Sequence, residues 1–449
     1  MRLRRCALGA VILFSVATLA AAQGFEGIFE DDSADDAAEQ ASPVSISGEV
    51  GIDFRYFMDN EWESEMEAYP AADLRFPAAA ANAEAVFAMR ARTSEAARGG
   101  LTGSLIDEAY VTSYFDAGHL TAGLLKVEWG TGDGVHAIDP LNPTDQSSGP
   151  STDYLDSRDA EAMILLDLYL GSSANIEMVY KPFFHPTQAA VTGRWAVIDV
   201  ATIPGYDTIT PVNVRTLEYS QGAVRLSGSL GPADLGALYY VGFMPEPGYR
   251  FTSTFTGTDP LDPSDYTVTA ELVYTRGQLV GTDAAVALGP FTLRGEAGYW
   301  FREDADGTAV ELHNSRLVYL GGVDTTIPGT TLFVSAQVLG SLIMQATDLA
   351  VGDVDTLLMY GDVATSTSII GAVEMPFARD TMKVRIGGIY NVEAEGYIVT
   401  PTYSWTIADG IELETSAQII GGEAPTSGNS AFFAWKDNDN VSLSLRYRF

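Results

Sequence analysis

From residue 44 onward the chain alternates apolar and polar side chains in short runs, the two-residue period of a strand with two unlike faces. In the first run Val44, Ile46, Val50, Ile52, Phe54 and Tyr56 share one face, and Ser45, Ser47, Glu49, Asp53 and Arg55 share the other. In the last, Val441, Leu443, Leu445, Tyr447 and Phe449 oppose Ser442, Ser444, Arg446 and Arg448. Between them the pattern predicts strands near 66–76, 82–92, 105–115, 119–129, 159–170, 175–183, 222–230, 233–243, 266–288, 291–302, 313–327, 331–343, 365–376, 381–393, 397–407 and 411–421. With the two ends the count is about 18, within a range of roughly 16–20.

The connections between these runs are unequal. Asp116-Ala117-Gly118, Leu170-Gly171-Ser172-Ser173, Gly231-Pro232-Ala233, Gly289-Pro290, Pro328-Gly329, Ala378-Arg379-Asp380 and Ala408-Asp409-Gly410 are tight turns, each between an even strand and the next odd one. The opposite connections are mostly long, as at 130–158, 184–221, 244–265, 344–364 and 422–439. Tight turns at one end and long loops at the other predict an all-β fold, a transmembrane antiparallel up-and-down β-barrel with lipid outside and water inside. That parity places both termini on the tight-turn side, expected to be periplasmic.

The ends of the chain refine this picture. Arg2, Arg4 and Arg5 precede an apolar run from Ala7 to Leu19, and Ala20-Ala21-Ala22 precedes Gln23, so residues 1–22 read as a secretory signal peptide. Cys6 is expected to leave with it, which excludes disulfide and thiolate chemistry from the mature chain. Residues 23–42 carry seven acids and no base and read as an acidic periplasmic leader, leaving 43–449 for the barrel. The first strand begins near residue 44, which leaves no room for an N-terminal plug domain. The strand that closes on Phe449 resembles the C-terminal strand by which Gram-negative assembly machinery recognises outer-membrane barrels; Tyr447 and Phe449 would carry that signal.

Charge excludes some classes and orders the rest. The whole chain has formal net charge −35, and loss of the three signal-peptide arginines leaves −38, which repels nucleic-acid phosphates. Aromatics at 10% argue against disorder, and no later apolar run reaches membrane-helix length. The bases concentrate on the polar faces of strands: Arg55, Arg90, Arg92, Lys126, Arg225, Arg294, Lys383, Arg385, Arg446 and Arg448. An Arg or Lys facing lipid at mid-membrane costs about 2–4 kcal/mol, so these positions are expected in the lumen. Glu49, Asp53, Glu84, Glu128, Glu296, Glu412 and Glu414 are their acidic partners there. Other acids crowd the loops, with Asp59, Glu61, Glu63, Glu65 and Glu67 in one and Asp348, Asp353, Asp355 and Asp362 in another. Lumen charges of this kind either line a selective pore or pair among themselves and brace the wall. The bases favour a weak anion preference at a constriction, while the acidic loops pull the other way.

Residues 107–145 form the one motif-like stretch, DEAYVTSYFDAGHLTAGLLKVEWGTGDGVHAIDPLNPTD. Through Glu108, Ala109, Tyr110, Gly123, Trp129, Gly130, Asp133, Asp139, Asn142, Pro143 and Asp145 it resembles a hairpin of large, mostly uncharacterised Gram-negative outer-membrane barrels grouped with porins. The pattern departs at Gly123-Leu124-Leu125-Lys126, where a basic-Gln pair is missing. The resemblance implies an outer-membrane, channel-like protein and names no substrate. Trp129 fits an interfacial girdle position, and Gly130, Gly132 and Gly134 permit left-handed turns. The loop is expected either to fold inward as a constriction, through Trp129, Gly130, Asp133, Asp139, Asn142, Pro143 and Asp145, or to stand as an ordered extracellular turn. Its aspartates offer oxygens to a cation such as Ca²⁺, but their spacing matches no EF-hand, so no metal and no other cofactor is expected.

Catalytic chemistry has little footing. His119, His136, His185 and His313 are dispersed without zinc spacing, and no nucleophile elbow or phosphate loop is present. A cross-strand Ser-His pair facing outward would be the sign of a hidden hydrolase. The expected function is a channel for small hydrophilic solutes of unknown identity. The alternatives are a non-conducting structural or ligand-binding barrel with acidic extracellular loops, and a transporter of apolar compounds, which lumen polarity disfavours. The expected partners are outer-membrane lipid, the barrel assembly machinery and the solute, with no nucleic acid; oligomeric state is left open.

Overall fold

The computed structural model describes residues 45–58, 66–80, 82–92, 105–151, 154–190, 193–197, 209–210, 212–257, 259, 266–303, 306–350, 353–425 and 430–449. The expected signal peptide, the acidic leader and residues 59–65 of the first acidic loop lie outside them.

Eighteen strands form one antiparallel sheet. They are β1 (Ser47–Phe57), β2 (Met66–Ala80), β3 (Ala83–Arg92), β4 (Ile106–Phe115), β5 (Gly118–Leu125), β6 (Glu161–Tyr169), β7 (Ala174–Lys181), β8 (Gln221–Leu230) and β9 (Ala233–Phe243). They continue with β10 (Arg276–Leu288), β11 (Phe291–Arg302), β12 (Arg316–Thr326), β13 (Phe333–Ile343), β14 (Thr365–Phe377), β15 (Met382–Asn391), β16 (Gly396–Ala408), β17 (Ile411–Gly421) and β18 (Asn440–Arg448). Each pairs with its chain neighbours, and β1 also pairs with β18, Val50 opposite Tyr447, so the sheet closes and no edge is left bare. Reciprocal bonds of 3.0 Å join the amide and carbonyl of Gly48 to those of Phe449. Both ends of the barrel chain therefore meet on the short-turn side.

Alternation decides which way each side chain points. Ile52, Phe54 and Tyr56 of β1, Ile164 of β6, Val280 of β10, Ile386 of β15 and Leu443, Leu445 and Tyr447 of β18 are all exposed on the outer surface. Their neighbours in sequence face the interior. The barrel meets the expectation of an apolar outer face, while the inner face is polar on one side only and apolar on the other.

Besides β2, which runs on to Ala80 where the pattern ended near 76, two boundaries differ from the sequence pattern. The run 266–288 is two elements, because a strand of 23 residues is about twice what a bilayer needs. Tyr266–Val273 pairs with Gly248–Phe255 in a separate sheet, and only Arg276–Leu288 joins the wall. The break falls at Thr275, fully buried, whose hydroxyl accepts from the His313 amide at 3.0 Å and whose carbonyl accepts from Met244 at 2.9 Å. The second difference is at β5, which stops at Leu125 instead of running to Trp129.

Candidate functional site

The segment between β5 and β6 does not stay at the rim. It descends along the inner wall, and β11 anchors it at mid-height. Glu296, an inner-face position with a fully buried side chain, accepts from the amides of Thr131 (2.8 Å), Gly132 (2.8 Å) and Ala137 (2.6 Å). His136 adds its Nδ1 at 2.9 Å, and its other ring nitrogen lies 2.7 Å from Glu128. One carboxylate thus gathers four donors from a single turn. Gly130 makes this approach possible: its φ is +119°, and a Cβ there would stand 2.4 Å from Glu296 Oε1. Burial disfavours the His136 imidazolium, but Glu296 and Glu128 outweigh it and raise its pKa above the ordinary histidine value.

Beyond that turn the loop reaches β13. Asp133 exchanges backbone bonds with the Gln337 side chain at 2.9 and 2.8 Å, and its Oδ2 accepts from Ser335 at 3.1 Å. Arg294 of β11 pairs with Asp324 at 2.7 Å and donates to the Thr131 carbonyl at 2.9 Å.

The apolar half of the loop is seated as firmly. Trp129, Ile138 and Leu141 are fully buried and join Met163, Leu165, Val179, Leu238, Tyr240, Leu279 and Trp300 in one core cluster. Ile138 rests on Gly298, where a Cβ would come within 2.8 Å of it. Trp129 is therefore not a girdle residue at the lipid interface. Its indole N–H donates to Glu177 at 2.6 Å inside the barrel, because the chain turns inward after Leu125 and carries the ring with it.

Asn142 closes the base of the loop. It is 2% exposed, accepts from Val127 at 2.8 Å, and donates to the carbonyls of Leu125 and Asp159, each at 2.8 Å. Pro143 lends its carbonyl to the Asp159 amide at 3.0 Å, and Arg158 donates to the Asn142 carbonyl and to Tyr154. Asp139 accepts from the Tyr154 hydroxyl at 2.7 Å, and burial, outweighing Arg158, pushes the Asp139 carboxyl up. Asp145 accepts from the Ser147 amide at 2.8 Å. The three aspartates serve three separate sets of bonds.

The remaining predicted lumen residues fall into two groups. On the loop side, Arg225 pairs with buried Asp283 at 2.9 Å, and Lys126 pairs with Asp107 at 2.7 Å and donates to the Leu155 carbonyl. On the opposite wall the charges stand in open space. Arg448 bonds Glu49 at 2.7 Å and Glu412 at 2.8 Å; Arg446 lies 3.3 Å from Glu49 and 3.8 Å from Asp53. Lys383 and Arg385 both lie 3.7 Å from Glu374, and Glu414 accepts from Ser404 at 3.3 Å; Arg90, by contrast, is mostly covered and reaches the loop, pairing with Asp156 at 2.5 Å. Arg55 stacks toward the Phe57 ring at 6.0 Å. Glu49, Asp53, Arg75, Arg90, Asp107, Arg446 and Arg448 line an internal space of about 570 Å³.

Above the loop, other segments cross the mouth. Trp195, from the 182–220 connection, packs at 5.7 Å against Trp435 of a short helix, Ala431–Trp435, and Arg194 bonds Asn438 at 3.2 Å. Gln418 of β17 donates to the Pro150 carbonyl at 3.1 Å. In the 344–364 connection, Asp355 is not a solvent-facing loop acid. It is buried, accepting from His313 (2.8 Å) and the Asn314 amide (2.6 Å). His119 points inward to Tyr169 at 3.2 Å, and His185 lies 3.1 Å from Glu161. Each histidine thus sits beside a carboxylate or phenol in the interior or a loop. Tyr447 and Phe449 lie with tilted rings 5.9 Å apart on the exposed outer face.

Glu177, Gln337, Tyr154 and Arg158 escaped the sequence reading. Glu177 had a signal, an acid at an inward position of an apolar strand, while the others are visible only once the loop is folded.

No family model and no curated protein sequence matches the chain. Among solved structures it is similar to the outer-membrane channel DcaP of Acinetobacter baumannii, with 11% identity, 90% of this chain and 97% of that one covered, and a TM-score of 0.43. It is also similar to OccAB4 of the same organism (11%, 92% and 100%, 0.48) and to OccK3 (OpdO) of Pseudomonas aeruginosa (11%, 90% and 96%, 0.48). The fold assignment rests on this chain's own strand pairing.

Proposed function

We propose that the protein is an outer-membrane channel of porin type, passing small hydrophilic solutes along the charged side of a lumen narrowed by the 126–160 loop. In this reading the short-turn end and both termini face the periplasm. One observation carries it: the interior is unevenly filled. The loop closes the β5–β12 side with an apolar core, and the opposite side keeps ionised pairs facing a space of about 570 Å³. Apolar packing excludes solvent, whereas exposed ion pairs need it. The outward apolar band supports a membrane setting, because the strands leave no lipid-facing charge among the exposed positions named above.

A second reading is favoured by the contacts across the mouth. Trp195 with Trp435 ties two connections, and Pro150 with Gln418 ties a connection to strand β17, as a closed binding or structural barrel would. Single-channel recording of the refolded protein in a planar bilayer under a salt gradient separates the two. Discrete, stable steps are the expected result. A folded barrel that conducts nothing would overturn the channel and leave the closed barrel.

A further inference from the structure

At the long-loop end, a second cavity of about 270 Å³ lies between the inward loop and the wall. Arg158, Lys181, Phe243, Trp300, Glu246 and Arg316 are among the residues that line it. Arg316 Nη1 lies 3.5 Å from Glu246 Oε1. The rest of that guanidinium, Nε and Nη2, is buried without a partner, and so is Glu246 Oε2. Nε and Nη2 project in parallel from one edge of the planar group, the geometry that takes a carboxylate with two bonds. Lys181 is already committed, to the Leu141 carbonyl at 2.5 Å and to Glu161 at 3.5 Å. Arg158 Nε is a further buried donor without a partner.

Arg316 and Glu246 pair through one atom each, and the donors and acceptor left over beside that contact, Nε, Nη2 and Oε2, are costly unless something occupies them. We propose that this cavity binds a small zwitterion of the amino-acid type, its carboxylate on the Nε–Nη2 edge of Arg316, its ammonium on Glu246 Oε2, and an apolar side chain against Trp300 and Phe243. A plain carboxylate would satisfy Arg316 but meet the charge of Glu246. A plain amine would satisfy Glu246 but meet Arg316. Burial disfavours the Glu246 carboxylate, yet Arg316 and His313 outweigh it and hold its pKa below the ordinary range, so the acid is ionised at neutral pH. The volume is smaller than the roughly 300 Å³ lower limit of clefts that take drug-sized ligands, which fits a molecule of this size.

The test is equilibrium binding of L-leucine, isocaproate and isoamylamine to the full mature chain folded in detergent. The last two are leucine without its amino group and without its carboxylate. The wild type is expected to bind leucine more tightly than either analogue. Arg316→Gln is expected to weaken leucine by about 10–100-fold, the value of a charged hydrogen-bonded contact. Glu246→Gln is expected to weaken leucine and to remove the handicap of isocaproate; it carries the test if Arg316→Gln does not fold. No saturable leucine binding, equal affinity for all three probes, or unchanged leucine binding in Glu246→Gln would overturn the site. Conductance on the same preparations keeps the two readings apart: binding without conduction sinks only the channel, and conduction without binding sinks only this site.

Discussion

The walls β6–β12 and β14–β18–β1 present the same apolar surface outward and opposite surfaces inward. On the first, Met163, Leu165, Val179, Leu238, Leu279 and Trp300 face inward and are buried under the loop. On the second, the inward positions of β18 are Asn440, Ser442, Ser444, Arg446 and Arg448, which bond to Glu49, Asp53, Glu412, Ser416 and Gln418 of the neighbouring strands. One wall is a protein core with an exposed apolar surface on its far side. The other borders open space inside the barrel. The difference shows that a barrel strand is read by its inner face, because the outer face is apolar in both.

The largest disturbance of this contrast is expected from Glu296→Gln. The buried carboxylate holds four donors of the loop, and each one left without a partner costs about 1–3 kcal/mol. The loop should detach, become cleavable by added protease and let single-channel conductance rise; unchanged protection would show that Glu296 is not its anchor. Trp129→Ala comes next. Loss of the buried indole should cost about 3–5 kcal/mol and lower the temperature at which near-ultraviolet circular dichroism is lost. A shift as small as that of an exposed substitution would contradict the packing.

The effect of pH is smaller. The His136 pKa is raised in the folded loop, so its contribution is complete below the unfolded value of about 6.5 and is lost as pH rises through the folded one. Loop protection from protease should therefore fall on alkalinisation, and His136→Gln should abolish that dependence. Smallest in stability is Arg448→Gln on the open wall. Its exposed pairs are worth less than about 1 kcal/mol, yet removing a lumen base should move the reversal potential toward cation preference. A large loss of stability with no change of selectivity would invert the comparison.

The barrel was legible in the sequence because alternation and turn parity are local. The strand that was overrun, 266–288, was lost because the hairpin Gly248–Phe255 with Tyr266–Val273 alternates just as a wall strand does; only the buried Thr275 contacts mark the border. The loop's importance was legible in the spacing of Trp129, Gly130, Asp133 and Asn142. Its destination was not, since Glu296 and Gln337 lie more than 150 residues away. A weaker clue was present in Met163-Ile164-Leu165-Leu166, a stretch apolar on both faces, which is what a strand covered on both sides requires. The pairing of Arg316 with Glu246 had no local signature at all.

In the proposed channel the solute path follows the charged wall and not the loop-covered one. Blockade of single-channel conductance by a bulky thiol reagent distinguishes the two walls, in protein lacking Cys6 and with one cysteine placed at a time. Ser442→Cys stands on the charged wall and Val179→Cys beneath the loop. The reagent should cut conductance sharply through Ser442→Cys and leave Val179→Cys unchanged. Equal blockade at both positions, or blockade only at Val179→Cys, would contradict it.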